Sequence, residues 1–300
     1  MLEFKEITLA DKEWIEPLLK MSAFGSEEYS FSFCYLWRKV FGYHAARMGN
    51  YFLLKSVRAG RAPSYLYPSG SGDIAPVLEA LRQDAAAEEA PLVFHTILTE
   101  QKVLLETMYP GEFEFMELDD YYDYVYEAKS LITLAGKKLH SKRNHINRFM
   151  ADYPDWSYED ISTENLPEVV EMSREWLHLH EESDSTSLMQ EARSVSAAIH
   201  DFFDLGLDGG LIRVGGRVVA FSMGDRLNHN TYLVHIEKAY ADIQGAYAII
   251  NQQFATRYCA DYQYINREDA SGQPGLAKAK RSYRPAFLVE KYAAKWVKGR

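Results

Sequence analysis

A three-stranded meander in the second half of the chain limits the fold more than any other feature. The stretch GGLIRVGGRVVAFSMGDRLNHNTYLVHIEKAY contains three strand-like runs, with a Gly215-Gly216 hairpin signal and a second turn at residues 228–230. Helical spacing over residues 163–180 and 185–203 precedes the meander, and helix–strand–helix–strand follows it. The order α-α-β-β-β-α-β-α-β predicts an α/β domain with one mixed sheet.

The first half of the chain has a related order. Apolar spacing predicts helices over residues 11–20 and 30–41 and strands over residues 1–9 and 51–56, and later segments continue the alternation, so that one α+β domain is complete by about residue 117. Both halves then have helices, a meander and strand–helix alternation, which hints at a duplicated fold. We place an N-terminal domain at residues 1–125 and a C-terminal domain at residues 126–300.

Composition excludes several classes of protein. The 300 residues include 43 acidic and 33 basic side chains, a net charge of −10 that argues against general nucleic-acid coating. Cys34 and Cys259 cannot form a disulfide framework or a Cys/His metal set, and they fit a reducing cytosol. No run approaches the roughly 18 apolar residues of a membrane span. We therefore expect a cytoplasmic protein without a structural metal.

One segment is strongly basic. GKKLHSKRNHINRF, residues 136–149, predicts an amphipathic helix at about 134–152 that opens the second domain. Lys138, Lys142 and His145 share one face, and the opposite, core-facing side carries Leu139, Ile146, Phe149 and Met150. Lys138, Lys142 and Arg143 could hold phosphates of a tRNA or an anionic head group. The alternative is a solvated helix whose charge balances the acidic residues between 117 and 127.

Four motifs resemble one family. KKLHSKRNHINRF, HIEKAYADIQGAYAIINQQFA, YINREDASGQPGLAKAKRSYRP and the closing KY are similar to the family named for the C-terminal domain of phosphatidylglycerol lysyltransferase. The resemblance covers most of the chain and is strongest from 137 to 292. It implies two tandem acetyltransferase (GNAT)-like domains, related to the Fem peptidyltransferases.

The resemblance also implies an activity. The best-studied members move an amino acid from aminoacyl-tRNA to a lipid head group and carry a large membrane-spanning region. We expect an acyl or aminoacyl transferase whose acceptor is a lipid, a peptide or a small molecule, and peripheral membrane contact stays open. An acyl-CoA-dependent N-acyltransferase and a non-catalytic RNA- or anion-binding module are the alternatives.

The loop that would bind coenzyme A is incomplete. Coenzyme A enzymes of this fold have a Gln/Arg-x-x-Gly-x-Gly/Ala loop that binds the diphosphate at a helix N-terminus. The matching stretch DIQGAY has Asp242 at the basic position and Tyr247 at the last, with Gly245 between them. An acid would repel a diphosphate. We therefore expect no cofactor and disfavour coenzyme A, and Gly245 would be only a turn residue.

Candidate catalytic residues lie on the third strand of the meander. His235 and Glu237 point to the same side of that strand, near the splayed strands where this fold places its reaction centre. Either could remove a proton from an attacking amine or hydroxyl. The alternative is a polar pair at the end of a strand.

A charged cluster follows the next strand. In NREDASG, Asn266, Arg267 and Asp269 are candidate substrate-binding residues at the end of the strand, and Arg267 could bind a phosphate or carboxylate through paired hydrogen bonds. Glu268 or Asp269 could bind a substrate ammonium. The alternative is a charged surface turn.

The segment KAKRSYRP completes the candidate site. The lysyltransferases carry a Lys-x-x-aromatic-x-Pro pattern, which Lys280, Tyr283 and Pro285 match. The resemblance implies that Lys280 stabilises the negative charge of the reaction. Lys278, Arg281 and Arg284 would add phosphate contacts, and Tyr283 is a candidate substrate-binding residue. The alternative is a basic helix end favoured by the helix dipole.

Overall fold

The computed structural model describes residues 2–180 and 186–297, which form two units. The first unit contains residues 1–123 and 289–300, and the second contains residues 124–288. The helices are α1 (Lys12–Ser22), α2 (Phe31–Phe41), α3 (Ala75–Ala87), α4 (Thr99–Met108), α5 (Ala128–Thr133), α6 (His140–Asp152), α7 (Leu166–His178), α8 (Thr186–His200), α9 (Phe202–Leu205), α10 (Ala246–Tyr258) and α11 (Pro274–Arg281).

The strands form two mixed sheets. They are β1 (Lys5–Glu6), β2 (Tyr43–Met48), β3 (Tyr51–Ser56), β4 (Ser64–Leu66), β5 (Ser69–Gly70), β6 (Val93–Leu98), β7 (Phe113–Glu117), β8 (Asp123–Glu127), β9 (Ser157–Asp160), β10 (Asp208–Val214), β11 (Arg217–Arg226), β12 (Thr231–Ala239), β13 (Tyr264–Asn266), β14 (Phe287–Val289) and β15 (Lys291–Trp296). The first sheet has the order β1-β2-β3-β4-β6-β15-β7, with β5 beside β3, and the second has the order β14-β8-β13-β12-β11-β10-β9.

The two sheets repeat one plan. Counted from β1 in the first sheet and from β9 in the second, the fourth and fifth strands pair in parallel: β4 with β6, and β12 with β13. In each sheet an α-helix connects these two parallel strands, as a parallel connection requires. This repeated arrangement is the predicted tandem GNAT-like fold.

Each sheet takes its sixth strand from a distant part of the chain. β15, at the carboxyl end, lies between β6 and β7 in the first sheet, and β8, at the start of the second unit, pairs with β13. The first sheet is therefore not complete at residue 117, and residues 289–300 join the first unit rather than the span 126–300. The cause is pairing of β15 along both of its edges.

The acidic stretch is partly buried in the first unit. Asp123 is fully buried, and its carboxylate lies 2.5 Å from the ammonium of Lys291. Glu28 and Glu27 also pair with Lys291, at 2.9 and 3.1 Å. Asp123 therefore does not form a solvated edge that balances the basic helix, because its charge is matched by a lysine of β15.

Some predicted elements differ in length or exposure. The strand expected over residues 1–9 is only β1, and the basic helix is α6 preceded by a single 3-10 turn, Lys137–Leu139. Ile146 and Phe149 are buried as predicted, but Met150 is 43% exposed because it lies outside the face that packs inward. The helix predicted over 185–203 is α8 followed by α9, and Ser185 lies outside the described residues. Across the described ranges, no helix is both long and apolar enough to cross a membrane.

Candidate functional site

The candidate site lies where the parallel strands of the second sheet separate. β12 and β13 pair from Thr231 with Tyr264 to Leu233 with Asn266, and no further. Beyond that point side chains bridge the gap. Arg267 Nη2 donates to Glu237 Oε1 at 2.8 Å, and His235 Nδ1 lies 2.8 Å from Glu268 Oε1. The strand opening is thus held by two charged pairs.

A β-bulge re-aims His235. Met223 of β11 pairs with Ile236 and Gly224 with Val234, so His235 is left without an opposite residue. A Cβ atom on Gly224 would lie 2.3 Å from the carbonyl oxygen of Leu233, which only glycine avoids. Bulges of this kind bend a strand and redirect one side chain. Here the bulge presents His235 to the turn after β13.

The His235 ring lies between two carboxylates. Nε2 is 3.1 Å from Asp225 Oδ1, Nδ1 contacts Glu268, and the side chain is 2% exposed. Burial lowers the pKa of His235, but Asp225 and Glu268 outweigh it and raise this pKa to about 10. Burial also raises the pKa of Glu268, against the pull of His235. Both directions describe a proton held tightly between the two groups, so His235 is poorly suited to accept another.

This arrangement predicts a pH-dependent stability. The folded pKa of His235, about 10, lies above the value of ~6.5 for an unfolded histidine. The contribution of the protonated His235 to the free energy of unfolding is therefore complete below pH ~6.5. It is lost as pH rises toward 10, at up to about 1.4 kcal/mol per pH unit. In urea unfolding at pH values from about 7 to about 9, the free energy of unfolding should fall less steeply with pH for His235→Gln than for the wild type. His229→Gln, on the exposed turn after β11, is the control, and equal slopes for all three proteins would contradict the assignment.

Lys280 organises the turn that carries Arg267 and Glu268. Its ammonium donates to the carbonyl oxygens of Arg267 (2.5 Å), Glu268 (3.2 Å) and Asp269. Glu268 has a left-handed φ of 58°, and its N–H donates to the Asn266 side chain at 2.7 Å. Because three carbonyls match three ammonium hydrogens, this geometry suits positioning of the turn better than binding of a reacting oxyanion.

Two buried polar atoms beside Glu237 lack partners. Asn251 Nδ2 donates to Glu237 Oε2 at 2.9 Å, while Asn251 Oδ1 and Arg267 Nη1 make no hydrogen bond with any residue that the structure describes. The Arg267 side chain is only 10% exposed. Leaving a buried donor and a buried acceptor unsatisfied is costly, so such atoms mark a place where a ligand can bind.

The basic helix and the KAKRSYRP segment meet at one ring. The Lys142 ammonium lies 4.0 Å from the centre of the Tyr283 ring, and the Arg267 guanidinium carbon lies 5.0 Å from it. Burial lowers the pKa of Lys142, and Arg267 lowers it further. Lys142 therefore borders the Arg267–Glu237 site, as a common site for these motifs requires.

The other predicted binding residues are placed differently. Lys138, Lys278 and Arg281 are exposed to solvent. Arg143 donates to the carbonyl oxygens of Leu134 and Gly136, the latter at 2.8 Å, and so fixes the turn before α6. The Asp269 carboxylate accepts from the N–H of Ser271 at 2.7 Å. Their substrate contacts remain predictions.

Helix α6 covers the turn that would bind a diphosphate. An added Cβ on Gly245 would lie 2.5 Å from the carbonyl oxygen of His145 and 2.9 Å from the Cβ of Phe149. Gly245 has a φ of 91° and immediately precedes α10. The glycine is thus explained by close packing of two helices and by its backbone conformation.

Three residues of the site escaped prediction. Asp225 of β11 pairs with Leu233, two residues before His235, and Asn251 lies on α10. The ring centre of Tyr126, on β8, lies 5.7 Å from the Arg267 guanidinium carbon. A polar residue among the inward positions of α10 was the available signal for Asn251. The other two depend on strand neighbours that the sequence does not specify.

Comparisons with known proteins agree with this fold. The crystal structure of a conserved protein of unknown function from Bacteroides thetaiotaomicron VPI-5482 is 38% identical, with a TM-score of 0.94 over 99% of this chain and 100% of that one. The structure of L-PGS from Bacillus licheniformis shares the fold at 18% identity, with a TM-score of 0.66 over 97% of this chain and 93% of that one.

A family match covers nearly the whole chain. An uncharacterised protein of Mycoplasmoides gallisepticum is 25% identical over 182 residues, which are 58% of this chain and 56% of that protein, so the chain spans little more than half of that relative. Residues 20–295 match the family described as phosphatidylglycerol lysyltransferase, C-terminal. The chain belongs to this phosphatidylglycerol lysyltransferase C-terminal family.

Proposed function

We propose that the second unit transfers an aminoacyl group from the 3′ end of an aminoacyl-tRNA to a nucleophilic acceptor. The supporting observation is the pair of unsatisfied atoms that flank Glu237: Arg267 Nη1, a donor, and Asn251 Oδ1, an acceptor. An α-aminoacyl ester complements both atoms, because its carbonyl oxygen accepts a hydrogen bond and its ammonium group donates one.

The chemistry is direct displacement at the ester carbonyl. The acceptor's amine or hydroxyl attacks the carbonyl carbon, and the carbonyl electron pair moves to oxygen, where Arg267 Nη1 donates to the resulting oxyanion. Glu237 takes the proton that the nucleophile loses. When the intermediate collapses, the bond to the ribose oxygen breaks and the leaving oxygen receives that proton. Glu237 therefore takes the role that the sequence left open between Glu237 and His235.

The remaining predicted residues support this reaction without contacting the reacting atoms. Lys280, bound to three carbonyls, and the His235–Glu268 pair position Arg267 on its turn. The exposed cations Lys138, Lys278 and Arg281 would contact tRNA phosphates, with an affinity that falls steeply with salt. Because the proposed donor, aminoacyl-tRNA, is found in the cytoplasm, the proposed reaction takes place there. The acceptor is a lipid, a peptide or a small molecule. A lipid acceptor would be reached by peripheral contact with a membrane.

Glu237→Gln tests the function. Purified protein is mixed with radiolabelled aminoacyl-tRNA and, in separate reactions, lipid vesicles, peptides or amine acceptors. The wild type should move label to one acceptor class, and Glu237→Gln should slow this by roughly 10²–10⁴-fold, the usual contribution of general-base catalysis. Glu171→Gln, an exposed change on α7, should transfer normally. Binding of tRNA with no transfer to any acceptor would identify a binding module instead.

The packing of α6 on Gly245 opposes an acyl-CoA donor. The His145 carbonyl oxygen packs against Gly245, the residue before α10, and Asp242 adds a negative charge to the same loop. We expect no heat of binding when coenzyme A is titrated into the protein up to about 1 mM, the weak end of specific affinity. Micromolar binding of coenzyme A that is lost when residues are inserted into this loop would favour an acyl-CoA-dependent enzyme.

A further inference from the structure

A cavity in the second unit has no role in the proposed transfer. It measures about 430 Å³ and lies between α7, α8 and β12. One part of its wall is aliphatic, formed by Leu166, Val170, Leu177, Leu188, Val195 and Ile199. Lys238 of β12 also lines it, and Glu237 is the preceding residue. Since consecutive strand residues point to opposite faces of a sheet, the cavity is separate from the Arg267–Glu237 site.

Cations outnumber carboxylates among the described residues that line this cavity. The Lys238 side chain is 8% exposed, and its ammonium donates to Glu191 Oε1 at 2.6 Å. The same ammonium lies 3.7 Å from the centre of the Trp176 ring, which is fixed because its indole N–H donates to the Ala239 carbonyl at 3.1 Å. Arg174 is a further lining residue. Among the lining residues that the structure describes, two cations, Lys238 and Arg174, therefore stand against one carboxylate, Glu191, beside an aliphatic wall.

We propose that this cavity binds a single acyl chain with a carboxylate head, as in a free fatty acid. The chain would pack against the aliphatic wall, and the carboxylate would accept a hydrogen bond from Lys238 and be attracted by Arg174. A buried ammonium with three hydrogens, one of them given to Glu191, can donate to a second carboxylate. A cavity of about 430 Å³ is at the small end of ligand pockets, which fits one chain rather than two. The inference rests on α7, α8 and β12 alone and does not depend on the aminoacyl transfer.

The test compares head groups on the same chain. Decanoate, decan-1-ol and decylamine are titrated calorimetrically into the full-length protein below their micellar concentrations. Decanoate should bind at one site and at least about tenfold more tightly than the alcohol, because its charge meets Lys238. Decylamine should bind more weakly than either. Equal affinity for the three compounds, or no saturable binding, would overturn the proposal.

Variants then locate the binding site. Lys238→Met should weaken decanoate binding at least about tenfold and remove the preference over decan-1-ol. Arg193→Met, an exposed change of the same charge on the same helix as Glu191, should bind as the wild type does. Ala192→Trp should fill the cavity and abolish binding; if it does not fold, Lys238→Met and the head-group series still decide. Unchanged affinity in Lys238→Met, or a tenfold preference for a decanoyl lysophospholipid, would contradict the carboxylate assignment.

Discussion

Replacing Arg267 with lysine should lower the rate constant of aminoacyl transfer by ~10²–10³-fold, the usual effect of losing one oxyanion donor. The guanidinium can donate through Nη2 to Glu237 while Nη1 remains for the reacting oxygen. An ammonium is a single point charge and cannot span both positions in the same way. Single-turnover transfer from radiolabelled aminoacyl-tRNA, at saturating enzyme, measures this rate without a contribution from tRNA binding.

A matched arginine provides the control. Arg257→Lys changes the same chemical group within the same unit. Arg257 lies away from the candidate site, and its guanidinium pairs with the Asp160 carboxylate at 2.7 Å. It should transfer at the wild-type rate. If Arg267→Lys folds normally and its single-turnover rate is unchanged, or if only tRNA affinity falls, Arg267 does not stabilise the reaction's oxyanion.

Replacing Lys291 with methionine should destabilise the first unit by about 3–5 kcal/mol. Lys291 is almost wholly buried, and the change leaves Asp123, Glu27 and Glu28 as clustered carboxylates without this ammonium. Removing one partner of a buried ion pair costs far more than exchanging the whole pair for apolar groups. Equilibrium urea unfolding followed by tryptophan fluorescence gives the change in the free energy of unfolding.

The same strand supplies the control for that change. Lys295 lies four residues further along β15 and is exposed, so Lys295→Met should alter stability by less than about 0.5 kcal/mol. A similar small effect of Lys291→Met would show that the buried cluster does not need its lysine. Restoration of stability by the additional change Asp123→Asn would support a charge imbalance as the cause.

The sequence predicts the second unit better than the first. Its meander carries clear alternation and a glycine pair, and β10, β11 and β12 occur where that pattern predicts them. Which part of the chain supplies the sixth strand of each sheet could not be predicted in this way. β15 pairs with β6 and β7, about 175–200 positions earlier, and local periodicity contains no information about such partners.

The candidate site, like the fold, could be predicted only in part from the sequence. His235, Glu237, Arg267 and Glu268 are charged residues at the ends of adjacent strands, so their convergence follows from the predicted fold. The pairing of Glu237 with Arg267, and of His235 with Glu268, could not be assigned, because a bulge at His235 changes the register. Lys280 was identified as important, but its three carbonyl contacts depend on the left-handed turn at Glu268.

The most direct test is binding of an unreactive donor end. The probe is adenosine with lysine attached through a 3′-amide, which keeps the carbonyl and ammonium groups but cannot be transferred. Calorimetric titration should show one site, and Asn251→Leu should weaken binding roughly tenfold or more by removing the acceptor Oδ1. Gln252→Leu, on the neighbouring position of α10, should bind normally. Equal binding by wild type and Asn251→Leu, or no binding of either the lysyl or an alanyl probe, would contradict the assignment of this site to the aminoacyl end of tRNA.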